Sequence, residues 1–288
     1  MIITKLQGGL GNQMFQYAAA RSISYDKKVY LDFSFLQKNT SSSAVFTGRD
    51  FEIGIFNIAY KTFSEDLRKI FFGKTFISRF FRRFILGTLT HVKQTENEFV
   101  KISHAENIYL DGYFQSEKYF QNIREILLKD FTFPSVDARN NIILQRIHSS
   151  ENSVSIHIRR GDYLKAEVKK YHGTLSPEYY YEAIRILEDK FENCKYFIFS
   201  DDISYSKEIF RHIDNIEYID INHGKDSWKD MFLMSNCTHH IIANSSFSWW
   251  GAWLCKKDGK TIAPNNWLNK EVANFDIHDF IPSYWTII

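Results

Sequence analysis

The chain has 288 residues, 44% of them hydrophobic and 17% aromatic, with a formal net charge of +2. That length suffices for two domains that each bury a core, and the apolar fraction with mixed charge excludes a disordered chain. A near-neutral balance gives no reason to expect a nucleic-acid partner.

In chain order, residues 2–6 read as a strand, Gly8 to Gly11 as a tight loop and residues 12–24 as a helix. Residues 29–33 give a second strand, and this succession is how a doubly wound α/β domain opens. Residues 35–106 show no clean period. Residues 107–114 return to strand and 117–128 to helix, and Pro134 breaks the chain before an amphipathic helix ending near residue 148. From there the alternation is regular, with strands at 153–158, 196–199, 217–221 and 239–243. Helices are expected after Pro177 and over 204–212, 230–237 and 247–255. A second α/β domain therefore starts near 150, giving domains 1–150 and 151–288.

Cys194, Cys237 and Cys255 are odd in number and set in apolar stretches, which reads as free thiols in a reducing compartment. The N-terminus lacks a basic leader and apolar run, and no window reaches the roughly 18 apolar residues that cross a bilayer, so a cytoplasmic protein is expected. Residues 68–93 hold seven Lys and Arg and no acid, interleaved with Phe72, Phe76, Phe80, Phe81 and Phe84. On a helical wheel most of the phenylalanines from Phe76 onward lie on one side, with Arg79, Arg82 and Arg83 roughly opposite. The pattern fits either an apolar face packed on the domain or peripheral contact with an anionic membrane at its inner face.

Three motifs follow strands. In Gly8-Gly9-Leu10-Gly11-Asn12-Gln13-Met14-Phe15-Gln16-Tyr17 the glycines let backbone approach a ligand, and the helix start favours negative charge. As a dinucleotide fingerprint it is incomplete, because Met14 stands where the third glycine belongs, although Asp32 lies where a ribose-binding acid would sit. A structural turn is the plainer alternative. In His157-Ile158-Arg159-Arg160-Gly161-Asp162-Tyr163 two arginines at a strand end offer planar forks for phosphate oxygens, with Asp162 placed to hold one of them. The alternative is an Arg–Asp pair bracing a loop. In Asn244-Ser245-Ser246-Phe247-Ser248-Trp249-Trp250-Gly251, Ser245 can cap the next helix, whose first-turn N–H groups suit a diphosphate.

Ser200-Asp201-Asp202 closes another strand, and Asp230 opens a helix. The paired aspartates lack the wider oxygen cluster of a divalent site, so no metal is expected; capping and helix-dipole roles are the alternatives for these acids. Trp249, Trp250 and Trp253 stand at helical spacing and read as core.

Taken in this order, the motifs resemble glycosyltransferase family 11, the α-1,2-fucosyltransferases. The resemblance implies a GT-B-like fold of two α/β doubly wound domains facing across a cleft, the first on the acceptor side and the second binding the nucleotide sugar. It implies GDP-β-L-fucose as donor, a β-galactoside of a surface glycan as acceptor, inversion at the anomeric carbon, attack by a galactose 2-hydroxyl, and no metal or other cofactor. It assigns Arg159 to the donor diphosphate as the main catalytic group, supported by Arg160 and Asp162. His157 and Asp230 go near the guanosine, Ser245, Ser246 and Phe247 near the phosphates, and Ser200, Asp201, Asp202 and Asn244 to the same donor site. Gly9, Gly11, Asn12 and Gln13 fall on the acceptor side, with Asn12 orienting the acceptor hydroxyl or the departing group. The general base stays open among Asp32, Asp162, Glu167, Asp202 and the donor's own phosphates. Two other classes compete: a non-catalytic carbohydrate-binding protein using the aromatic surface, and an NAD-dependent oxidoreductase using the glycine loop. The repeated phosphate-receptive strand ends count against the first, and Met14 against the second.

Overall fold

In the computed structural model, which describes residues 1–25, 28–41, 48–95 and 98–288, the chain divides into two units. The first comprises Met1–Ser42 and Gly48–Thr132, and Phe133–Ile288 lies in the second. Both are parallel α/β units, as the fold class read from the sequence requires.

In the first unit, β1 (Ile2–Lys5) runs through the glycine loop into α1 (Leu10–Ser24), followed by β2 (Val29–Asp32) and α2 (Ser34–Lys38). The segment without a clean period holds β3 (Tyr60–Thr62), α3 (Glu65–Phe72), α4 (Phe76–Phe81) and β4 (Leu89–Lys93). β5 (Asn107–Asp111) and α5 (Arg124–Asp130) complete the unit. The sheet is wholly parallel in the order β3-β2-β1-β5-β4. Central β1 is buried on both faces, which is why it reads as a continuous apolar run. The helix expected over 117–128 starts only at Arg124: Phe120 takes φ −143° and divides the preceding stretch into two 3₁₀ turns, its own side chain fully buried.

The second unit opens with α6 (Ala138–Ser149), whose Ile143 and Ile147 share a core with Phe197, Leu233 and Met234. That packing ties α6 to the second unit, although a boundary at 150 leaves it in the first. There follow β6 (Asn152–Ile158), α7 (Ala166–His172), α8 (Pro177–Glu188), β7 (Cys194–Ser200), α9 (Ile203–Ile209) and β8 (Ile216–Ile219). The chain continues through α10 (Trp228–Asn236), β9 (His239–Ile241), α11 (Ser246–Trp253), β10 (Thr261–Ala263), α12 (Ile277–Phe280) and β11 (Thr286–Ile287). The parallel order is β11-β10-β9-β6-β7-β8. The winding runs from β6 to β8, then resumes at β9 on the other side of β6. The gap between the ends of β6 and β9 is therefore a topological switch point, where open α/β sheets bind ligands.

Trp249, Trp250 and Trp253 are fully buried and packed ring against ring, as their spacing predicts. All three cysteines are buried thiols. No helix among the described residues is long and apolar enough to cross a membrane.

Candidate functional site

In the second unit, two of the three sequence motifs flank the switch point. β6 delivers His157 to Asp162, and β9 leads into Asn244 to Phe247. Arg159 lies between two carboxylates: one terminal nitrogen meets Asp162, and the other meets Asp201 at 2.8 Å. Burial works against its charge, but Asp201 and Asp162 outweigh that and raise its pKa above the usual arginine value. Its guanidinium also sits 5.5 Å from the Tyr163 ring centre. The fork is thus fixed before any ligand arrives, and an oriented cation is what a diphosphate site requires.

Arg160 is committed elsewhere. Its Nε donates to Asp202 at 3.2 Å, its plane covers Tyr205 at 3.6 Å, and its backbone N–H donates to Asp201 at 2.8 Å. Asp202 also caps α9 by accepting from the Tyr205 N–H, and Ser200 Oγ accepts from the Asp202 N–H. The capping role weighed for these residues is therefore present. Asp201 and Asp202 serve guanidinium and N–H donors rather than facing a common point. Gly161 permits this packing, since a Cβ there would come within 2.7 Å of Asp201.

Around β9, Asn244 donates to the carbonyl of His172 at 3.0 Å and accepts, through its own backbone carbonyl, from the Tyr163 hydroxyl at 3.0 Å. Tyr163 stacks on His172 with centres 4.7 Å apart. Sequence reasoning missed His172, because only the loop geometry brings it, from the end of α7, beside the Arg159 motif. Ser245 caps α11 by accepting from the Phe247 N–H, and Phe247 lies 5.7 Å from the His157 ring. His157 Nδ1 and Asn244 Oδ1 are buried and have no partner among the described residues.

Asp230, at the start of α10, engages Asn222 rather than the arginine cluster. It accepts from Asn222 at 2.7 Å, and Asn222 pairs with Asn140 of α6. Burial pushes its pKa up to about 7, with Asp220 adding to the rise and the Asn222 bond opposing it. A cavity of about 630 Å³ opens at the ends of β9 and β10 between His172, Tyr179, Asn244, Asn265 and Lys270. It is large enough for a cofactor-sized ligand. It touches Asn244 and Lys270 but not Arg159, whose fixed planar fork is the group suited to a diphosphate.

In the first unit, the glycine loop is filled from within. Leu10 N–H, at the start of α1, donates to Glu52 at 2.8 Å, so a carboxylate already occupies the position a dinucleotide phosphate would take. Gln13 ties the loop to its neighbour: its amide donates to the carbonyls of Gly8 and Asp50, and its oxygen accepts from the N–H groups of Glu52 and Ile53. Gly8 adopts φ +75°, and a Cβ there would lie 2.3 Å from Asn12 Nδ2, so this turn requires glycine. Gly9 precedes α1 and Gly11 lies in its first turn, where half-buried Asn12 accepts from the Gln115 amide at 2.6 Å. Glu52 lay in the segment without a period, where no sequence signal marked it.

Asp32 is 1% exposed and held by Arg68, the Tyr109 hydroxyl and the Ser34 N–H. That corrects its place among the general-base and ribose-binding candidates, since a sealed carboxylate with three donors can reach neither. Asp162 and Asp202 are bound to their arginines, and Glu167 is exposed on α7.

Three histidines of the second unit, His157 and His240 buried and His172 partly so, set a pH response. Burial is the largest effect and pushes His157 down to about 4, His172 to about 4 and His240 to about 3; Asp201 opposes the first and Asp162 the second, while Arg159 adds to both and His239 to the third. Their folded values lie below the unfolded value of about 6.5, so the native state binds fewer protons in that window. Stability is complete above it and falls as pH drops through it. Asp230 works the other way, its raised value costing stability as pH rises from 3.8 towards 7. Three groups against one predict a lower urea midpoint near pH ~5 than above pH ~7. Equal midpoints would mean that these histidines are not held neutral in the folded protein.

Comparison with known proteins identifies the family. The model of glycosyl transferase family 11 matches residues 1–288. The chain is 36% identical to the alpha-1,2-colitosyltransferase of Escherichia coli, over 100% of this chain and 99% of that protein. It is 33% identical to the O-antigen biosynthesis glycosyltransferase WbnK of Escherichia coli, over 94% and 97%. In fold it is similar to NodZ alpha-1,6-fucosyltransferase co-crystallized with GDP, with a TM-score of 0.51 and 14% identity over 86% of this chain and 90% of that one. Together with the filled glycine loop, these matches set aside the oxidoreductase and the non-catalytic binding protein: the chain belongs to glycosyl transferase family 11, whose members transfer a sugar from a nucleotide donor.

Proposed function

We propose that the protein transfers L-fucose from GDP-β-L-fucose to the 2-hydroxyl of a β-galactoside, with inversion and without a metal ion. The observation that carries the donor half is the Arg159 guanidinium, held by Asp162 and Asp201 at the switch point. Displacement at C1 places positive charge on the sugar and growing negative charge on the departing diphosphate, so fixed donors aimed at that diphosphate favour the transition state over the ground state. Arg159 supplies one such donor and the N-terminal turn of α11 supplies others. Phe247 offers an apolar wall beside His157, which burial keeps neutral, and Asp230 offers an acceptor for N–H groups of the base. Asn12, in the first turn of α1, is assigned to the acceptor side. The proton of the attacking hydroxyl passes to a carboxylate or to the departing diphosphate.

The identity to a colitosyltransferase supports a second reading of the donor. Colitose is L-fucose without its 3-hydroxyl, so the two donors differ by a single polar group. Incubating a β-galactoside with either GDP-sugar in EDTA, then locating the new linkage by methylation analysis, separates the readings. The expected product is fucosylated at galactose O2. Transfer from GDP-colitose alone would move the donor assignment, and activity that vanishes in EDTA and returns with magnesium would end the metal-free reading.

A further inference from the structure

Residues 74–86 of the first unit are built with their polar side turned inward. Thr75 caps α4 by accepting from the Ser78 N–H. Ser78 is the buried residue of that helix, and its hydroxyl donates to the Lys69 carbonyl at 3.0 Å. One turn later Arg82 reaches back to the C-terminus of α3, donating to the carbonyls of Phe71 at 2.6 Å and Gly73 at 2.9 Å. A cation at that end of a helix satisfies its orphan carbonyls and its dipole together. With Ser78 and Arg82 facing the protein, the apolar residues face out: Phe76 is 81% exposed, Ile77 67%, Phe84 67% and Ile85 59%. The reading in which these residues pack on the domain is thereby overturned, since Arg82 occupies the inner side.

We infer that this segment docks on an anionic lipid surface. Soluble proteins rarely leave such a contiguous apolar patch open unless something covers it. The charge around it selects the occupant. Lys69, Lys74, Arg79, Arg83 and Lys93 are exposed, and no acidic residue occurs between residues 68 and 93. A second copy of the chain, pairing this face with itself about a two-fold axis, would set these cations against each other. A bilayer with anionic headgroups offers hydrocarbon to the aromatics and negative charge to the rim, which is the condition for an interfacial segment. The Arg83 guanidinium, 5.6 Å from the Phe84 ring centre, places a cation at the edge of the apolar patch. The inference does not depend on which sugar is transferred.

Co-sedimentation with vesicles tests it, comparing phosphatidylcholine alone with an equal mixture of phosphatidylcholine and phosphatidylglycerol. The protein is expected to pellet with the mixture and to stay in solution with phosphatidylcholine. Phe76→Ser combined with Phe84→Ser should weaken binding to the mixture by at least ~10-fold, because affinity follows buried apolar area. Arg79→Ser with Arg83→Ser should weaken it and lessen, without abolishing, its sensitivity to salt, since Lys69, Lys74 and Lys93 remain. Both double variants should keep the wild-type melting temperature, since these side chains point to solvent. Wild-type protein that stays in solution with the mixture would overturn the inference, as would a phenylalanine variant that pellets like wild type. A wild-type dimer that the same variant converts to monomer would overturn it in favour of a second copy.

Discussion

Arg159→Ala is expected to lower turnover at saturating donor by ~10²–10³-fold, corresponding to ~3–4 kcal/mol of lost transition-state stabilisation. The side chain is preset by Asp162 and Asp201, so its N–H groups need no reorganisation when charge develops on the departing diphosphate. An effect on turnover, rather than on donor KM alone, marks an interaction that strengthens in the transition state. Arg159→Lys keeps the charge but cannot serve two carboxylates with one planar group, so it should recover only a small part of the rate. Alanine also leaves Asp162 and Asp201 without their shared cation. Urea unfolding of both variants therefore belongs beside the kinetics, and a variant as stable as wild type with near-normal turnover would remove Arg159 from the mechanism.

Trp249→Ala should cost ~3–5 kcal/mol from lost burial alone, an amount comparable with the whole stability of many domains. The side chain is fully buried, and its Nε1–H donates to the Phe280 carbonyl at 2.8 Å. It packs against Trp250, Trp253 and Trp285, with ring centres 5.0, 6.0 and 5.4 Å away. Truncation opens a cavity the surrounding rings cannot fill and leaves a buried carbonyl without its donor. Because α11 begins at the Ser245 cap, the damage should spread to the switch-point turn and lower activity with stability. Trp249→Phe, which keeps most of the volume, should lose only ~1–2 kcal/mol, chiefly through the missing N–H. Calorimetric melts of the two variants give the comparison, and an alanine variant melting near wild type would show that this cluster is not a keystone of the second unit.

The second unit was readable because its central strands are buried on both faces and several of its helices begin at a proline or a capping side chain. β6 has six buried residues in succession, and Pro177 and Ser245 mark helix starts where expected. The first unit was less readable between residues 35 and 106. There β3 has three exposed residues and β4 a single buried one, so neither edge strand carries an alternating pattern. Within the site, the residues that end strands were legible, and what they bind was not. The pairing of Arg159 with Asp201 joins two neighbouring strand ends, and that of Leu10 with Glu52 joins the glycine loop to an irregular stretch. Residue type alone suggested that Asp32 was a free acid. Its Tyr109 and Arg68 partners, distant in sequence, made it a sealed one.

The most direct measurement is titration calorimetry of GDP into the wild-type protein in EDTA, with UDP as the control. The account predicts saturable GDP binding at one site, unchanged by EDTA and lost or strongly weakened in Arg159→Ala, with UDP bound at least ~10-fold more weakly, as expected where base N–H groups meet buried acceptors. Absence of GDP binding, binding that requires magnesium, or equal affinity for UDP would contradict it.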